Sequence, residues 1–140
     1  MANYWLDHIH MTSPDPVKTA EFYEKMVGAI QVESLQTSDG RTAVFLDLSG
    51  SSIKMMQPIA QPLIPGASPT DYGLDHIGVL TDNLDEAVAD LKAKGVKFVR
   101  EILADPHAPG RLAYFLGPEN VLFELLDTAA NLASPAEKLP

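Results

Sequence analysis

Leu6-Asp7-His8-Ile9, close to the start of the chain, returns as Leu74-Asp75-His76-Ile77, 68 residues later. Downstream, Gly40-Arg41-Thr42-Ala43-Val44-Phe45-Leu46 returns as Gly110-Arg111-Leu112-Ala113-Tyr114-Phe115-Leu116, and Ile53-Lys54 falls without a gap on Phe123-Glu124, both at an offset of 70. An insertion of two residues between the blocks reconciles the offsets. The chain is written twice, and the repeat governs every other assignment.

Between the blocks each copy carries one helix. In the second, Leu84, Ala87, Val88 and Leu91 keep the i, i+3, i+4, i+7 spacing of one helix face, with Asn83 as N-cap, Glu86 three residues on and Gly95 just past the end. In the first, Asp15 caps, Pro16 takes the first helical position, and Val17, Ala20, Tyr23 and Val27 line a face before Gly28 stops it. The flanking segments predict strands at 5–12, 30–36, 42–48 and 52–57, then at 75–80, 96–103, 112–116 and 121–126. The fold class is therefore α+β, with two βαβββ modules in tandem. They span 4–58 and 73–128 of a single domain 1–128, joined by a Pro-rich linker 58–73 and followed by a loose tail 129–140. Neither module can cover both faces of a four-stranded sheet by itself, so the two are expected to form a curved mixed sheet around a cleft.

Composition narrows the function. With 140 residues, 46% hydrophobic and 21% charged, the chain fits one folded domain. Ten Lys and Arg stand against nineteen Asp and Glu, a net charge of -9 that repels nucleic acid and anionic membrane surfaces alike. No apolar stretch is long enough to span a bilayer, and the N-terminal segment lacks the pattern of a secretory signal, so the expected compartment is cytoplasmic. The chain has no cysteine, so any metal must sit on His, Asp, Glu, Gln or Asn.

The polar groups follow the repeat. His8 and His76 stand at the same place on the two first strands, and Lys54 and Glu124 at one equivalent place on the two last strands. Glu124 lies inside Val-Leu-Phe-Glu-Leu-Leu, where an unpaired buried carboxylate would cost several kcal/mol, so it must face the cleft, a cation or a metal. Two histidines and a carboxylate from three strands suit one divalent metal ion with open positions: Fe, Mn, Co, Ni or Zn. His10 shares the face of His8 and is a ligand, a proton relay or a substrate contact, the last favoured because its counterpart is Gly78. Lys54 suits a clamp on a substrate oxyanion; the plainer reading is a Lys54–Glu124 salt bridge across the cleft. Arg41 and Arg111 read as solvated rim charges and His107 as a surface loop residue. Of Met55 and Met56, one should be core and the other should line an apolar pocket.

The Leu-Asp-His-Ile starts, the Glu-Phe-Tyr-Glu-Lys-Met-Val-Gly helix end and the Arg-Leu-Ala-Tyr-Phe-Leu-Gly-Pro-Glu-Asn-Val-Leu-Phe-Glu-Leu run resemble the vicinal oxygen chelate superfamily over residues 4 to 128. Within it, Ile-Lys-Met-Met-Gln-Pro and Leu-Asp-His-Ile-Gly-Val are most similar to epimerase and glyoxalase sequences. The resemblance implies metal ligands at His8, His76 and Glu124. It also exposes a departure: glyoxalase I and methylmalonyl-CoA epimerase draw a fourth ligand, Glu or Gln, from the position held here by Lys54, and an ammonium cannot coordinate. Either three ligands suffice, as in fosfomycin-resistance proteins and extradiol dioxygenases, or the lysine replaces the metal.

The implied activity is that of a metal-dependent isomerase or lyase moving a proton on a small substrate that chelates through vicinal oxygens. Glu124, Lys54 and His10 are the expected catalytic groups. An Fe(II) ring-cleaving dioxygenase and a metal-free ligand-sequestering protein are the alternatives. A homodimer is expected, because members of the superfamily often dimerise.

Overall fold

The computed structural model describes residues 2–60, 63–64, 71–106 and 109–127. Much of the linker, His107 and the tail at 129–140 lie outside the described residues. The first module comprises β1 (Tyr4–Thr12), α1 (Pro16–Val27), β2 (Ile30–Gln36), β3 (Thr42–Leu48) and β4 (Ser51–Met56). The second comprises β5 (Gly73–Thr81), α2 (Leu84–Ala93), β6 (Lys97–Ala104), β7 (Arg111–Leu116) and β8 (Leu122–Leu126), with a 3-10 turn at Pro118–Asn120 before the last strand.

Both helices start where their caps dictate. The Asp15 side chain accepts from the Lys18 N–H and the Asn83 side chain from the Glu86 N–H, each at 3.1 Å, which satisfies a donor the first turn would otherwise leave unpaired. Gly28 ends α1 in the left-handed region, at φ 74°, and returns its N–H to the Glu24 carbonyl.

All eight strands form one sheet in the order β2-β3-β4-β1-β5-β8-β7-β6. Exchanging the two modules reverses that order, so the sheet has an approximate two-fold axis between β1 and β5. These two strands pair antiparallel, while β1 with β4 and β5 with β8 run parallel. Each helix covers one face of its own module. Ala20 and Ala29 pack with Val44, Leu46 and Met55, and Leu84, Ala87 and Val88 pack with Ala113 and Leu125. Each fully buried Leu or Met contributes roughly 1.5–3 kcal/mol. The opposite face carries the polar groups of the repeat, and two smaller apolar clusters flank them. Ala43, Phe45 and Met56 form one; Leu80, Leu112, Tyr114 and Leu126 form the other. Met55 is thus the core methionine of the pair, and Met56 lines the functional face.

One equivalence in the sequence needs correcting. Phe45 matches Phe115 at an offset of 70, but Phe45 pairs with Lys54 and Tyr114 pairs with Glu124. The third strands therefore correspond at an offset of 69, and Tyr114, not Phe115, is the counterpart of Phe45. The chain holds one more residue between the paired Tyr114 and Glu124 than between the paired Phe45 and Lys54, and a slip of one residue moves a strand side chain to the other face. The two arginines shift with it. Thr42 and Arg111 are equivalents, their N–H groups held by the Gln57 and Asp127 side chains. Among the described residues, no helix is long and apolar enough to cross a membrane.

Candidate metal centre

The Asp-His pairs of the repeat sit where the central strand pairing is irregular. Leu6 faces Val79 and His8 faces Gly78, leaving Asp7 as an extra residue; His10 faces His76 and Met11 faces Leu74, leaving Asp75 as its counterpart. On a regular strand, neighbouring side chains point to opposite faces, and an aspartate could not reach the ring that follows it. A bulge re-aims it. The Asp7 carboxylate lies 2.8 Å from Nδ1 of His8, and that of Asp75 lies 2.6 Å from Nδ1 of His76. An ionised carboxylate only accepts, so each Nδ1 carries a proton, and the Nε2 atoms are the ring atoms that face into the site.

Those atoms converge. Nε2 of His8 lies 3.3 Å from Nε2 of His76, which lies 3.1 Å from Oε2 of Glu124. Metal–nitrogen bonds of about 2.1 Å in tetrahedral or octahedral geometry require ligand–ligand edges of about 3.0–3.4 Å. The His8–His76 and His76–Glu124 contacts each have the length of such an edge, and each ring is held from behind by a carboxylate, so these side chains suit a divalent cation.

The electrostatics are those of a site built for positive charge. Burial raises the Glu124 pKa, but the adjacent His76 outweighs it and holds the carboxyl well below the usual carboxylate range. Burial likewise lowers His76, yet Glu124 and Asp75 push its pKa above the ordinary imidazole value. Each member of the pair thus favours the charged form of the other. Burial lowers His8 despite its bond to Asp7, and it lowers His10 much further, helped by the charges on His76 and Lys54.

Gly78 makes room for this arrangement. A Cβ there would stand 2.2 Å from Cε1 of His8, so the imidazole lies directly over β5. Across the axis the equivalent place is His10, whose ring stacks on His76 with centroids 4.5 Å apart. His10 belongs to the cluster more closely than its unlike counterpart suggested: one ring nitrogen from each of His8, His10 and His76 lies within 4.8 Å of the others. Its Nδ1 is buried and has no hydrogen-bond partner among the described residues.

The Lys54–Glu124 bridge is not how Glu124 is satisfied. Its Oε2 receives the Tyr114 hydroxyl at 2.6 Å besides facing His76. The Lys54 ammonium instead lies 5.7 Å from the centre of the Phe45 ring, beside His10 in register. Tyr114 is the functional residue that sequence reasoning missed. Burial, together with the Glu124 charge, raises its pKa well above the ordinary phenol value, so the hydroxyl stays a donor. Arg41 and Arg111 take partners at the rim: Arg41 bonds Asp39 and the Gln57 carbonyl, and Arg111 bonds Asp85 and Asp127.

A tandem βαβββ sheet with two bulged Asp-His pairs and an acid on the last strand defines a vicinal oxygen chelate protein. Residues 7–115 match the family model of the Glyoxalase/Bleomycin resistance protein/Dioxygenase superfamily, and the chain belongs to that family. It is similar to human mitochondrial methylmalonyl-CoA epimerase, with 30% identity over 128 residues, covering 86% of this chain and 72% of the relative. The crystal structure of methylmalonyl-CoA epimerase from Mycobacterium tuberculosis superposes with a TM-score of 0.64 at 25% identity, covering 92% of this chain and 91% of that one. A Streptomyces coelicolor methylmalonyl-CoA epimerase variant in complex with 2-nitronate-propionyl-CoA also gives 0.64 at 25% identity, over 89% of this chain and 97% of that one. The likeness to epimerases supports an isomerase of the glyoxalase superfamily.

Proposed function

We propose that the protein is a divalent-metal-dependent isomerase that moves a proton on a carbon next to a carbonyl, in a small substrate with two vicinal oxygens. The observation that supports this reading is the run of two contacts, His8 Nε2 to His76 Nε2 and His76 Nε2 to Glu124 Oε2, that links side chains of three strands at ligand–ligand spacing. A cation held there would polarise the substrate carbonyl and make the adjacent C–H more acidic. The chain's own residues do the rest. Asp7 and Asp75 fix the imidazoles in the tautomer that offers Nε2. The Tyr114 and His76 contacts both fall on Oε2 of Glu124, which directs Oε1 to accept and return the substrate proton. Lys54, beside His10 in register, would offer its ammonium to the negative charge that develops on the substrate oxygen. The likeness to epimerases makes 2-substituted acyl thioesters the first substrate class to test.

Four measurements decide it. Protein purified without chelator or histidine tag should carry close to one divalent metal per chain, or recover it on titration. Less than about a tenth, with none recovered, would end the metal reading and leave a sequestering protein. With substrate in deuterated water, deuterium should enter recovered, otherwise unchanged material. Two histidines and one carboxylate also suit Fe(II) oxygen chemistry, so oxygen uptake with catechols, without deuterium exchange, would favour the dioxygenase. Glu124→Gln should lower both metal occupancy and turnover.

A further inference from the structure

The two modules offer unequal donors. At the last-strand position where the second module has Glu124, the first has Lys54, whose ammonium has no lone pair to give. The residue directly beside Lys54 in the parallel β1–β4 register is His10, one strand nearer His8 and His76. Its ring shares their face, stacks on His76 at 4.5 Å and brings a nitrogen within 4.8 Å of both partners' ring nitrogens. Among the described residues its buried Nδ1 has no hydrogen-bond partner, a situation that costs about 1–3 kcal/mol unless something fills it.

We infer that His10 is the fourth protein ligand of the metal centre, taking the corner that Lys54 has vacated. The ligand has moved one strand inward, from β4 to β1, and Lys54 is thereby released to face substrate. This also explains how two unlike residues coexist at the axis. Gly78 must be small because His8 lies over it, whereas His10 carries a ring because its neighbour on β4, Lys54, cannot coordinate. The inference rests on the metal-dependent reading above and adds one ligand to it.

The test uses the full chain, stripped of metal and titrated with Co(II), and pulsed EPR of the Cu(II)-loaded form to count bound imidazoles. The wild type should bind one Co(II) and show three imidazoles. His10→Ala should bind Co(II) more than about 100-fold more weakly, beyond the 10–100-fold typical of an outer partner's loss, and show two. His107→Ala should still show three. Adding Lys54→Glu to His10→Ala should restore at least about tenfold of the lost affinity, because it returns a donor to the same corner. A wild type that binds Co(II) but shows two imidazoles overturns the inference, as does a His10→Ala chain with unchanged affinity; both leave the three-ligand centre standing. A wild type that binds no Co(II) fails the metal reading itself. The imidazole count on the wild type needs no variant to fold.

Discussion

The two modules share a backbone plan and differ where the chemistry lies. Across the axis, His8 answers to His76 and Asp7 to Asp75, and here the copies agree. His10 answers to Gly78, Lys54 to Glu124 and Phe45 to Tyr114, and here they do not. The conserved pairs are those the bulges hold in place. The divergent ones separate charge: the first module presents His8, His10 and Lys54 on this face, and the second His76, Glu124 and the Tyr114 hydroxyl that donates to it. Even the shared aspartates are unequal, since the Asp7 side chain is fully buried while that of Asp75 is 40% exposed. Duplication supplied a symmetric frame, and the asymmetry on one face gave it a direction, with a carboxylate on the last strand of one module and an ammonium on that of the other.

The hardest blow to that asymmetry is to take away the space at Gly78. Its backbone is not in the left-handed region, so alanine is acceptable to the chain itself. The obstacle is the His8 ring, 2.2 Å from the new methyl and unable to swing away without leaving Asp7. Overpacking of this kind costs about 1–3 kcal/mol. Gly78→Ala should therefore lower the melting temperature measurably. It should also weaken Co(II) binding about 100-fold or more, since a ligand and not merely its support is displaced. Wild-type metal affinity in this variant would mean that His8 is not seated over β5.

Much of this frame can be read in the sequence. The caps Asp15 and Asn83 and the glycine stop at Gly28 mark both helices, because capping chemistry is local and depends on residue type. All eight strands appear where alternation and turns place them, within one or two residues. His8, His76 and Glu124 are visible because duplication turns isolated residues into a pattern. Two features are not. The bulges at Asp7 and Asp75 depend on pairing between strands 68 residues apart, which no local pattern encodes. Tyr114 is hidden by the one-residue difference between the turns: the ungapped match of Phe45-Leu46 to Phe115-Leu116 sets Tyr114 beside Val44, a helix-side core residue. The available signal was the longer Gly117-Pro118-Glu119-Asn120 turn, where Glu119 and Asn120 take left-handed backbone angles, φ 58° and 59°.

Tyr114→Phe erases the difference at that position by giving the second module the first one's residue. The lost bond is to an ionised, buried carboxylate, and such bonds contribute about 1.5–3 kcal/mol. The phenylalanine keeps the packing with Leu80, Leu112 and Leu126, so the fold should hold. Metal affinity should fall about tenfold, at the low end for loss of an outer partner, as read by Co(II) competition with a chelator. An unchanged affinity would reduce Tyr114 to a core residue that happens to donate.

Lys54→Met probes the other pole with the least disturbance. Methionine keeps the unbranched stem, and what is lost from the fold is the cation's contact with the Phe45 ring, about 0.5–1 kcal/mol. The charge acts in two opposed ways. Near a metal centre an ammonium repels the cation, so its removal should leave Co(II) affinity equal or slightly tighter. Toward substrate it is attractive, so turnover should fall, by about tenfold rather than the 10²–10³ of a fully enclosed oxyanion donor, because Lys54 is half-buried. Stronger metal binding with weaker turnover is a combination that neither a ligand nor a purely structural residue produces. If turnover survives intact, the ammonium has no part in the reaction. The asymmetry between the last strands would then serve only to keep a second carboxylate away from the first.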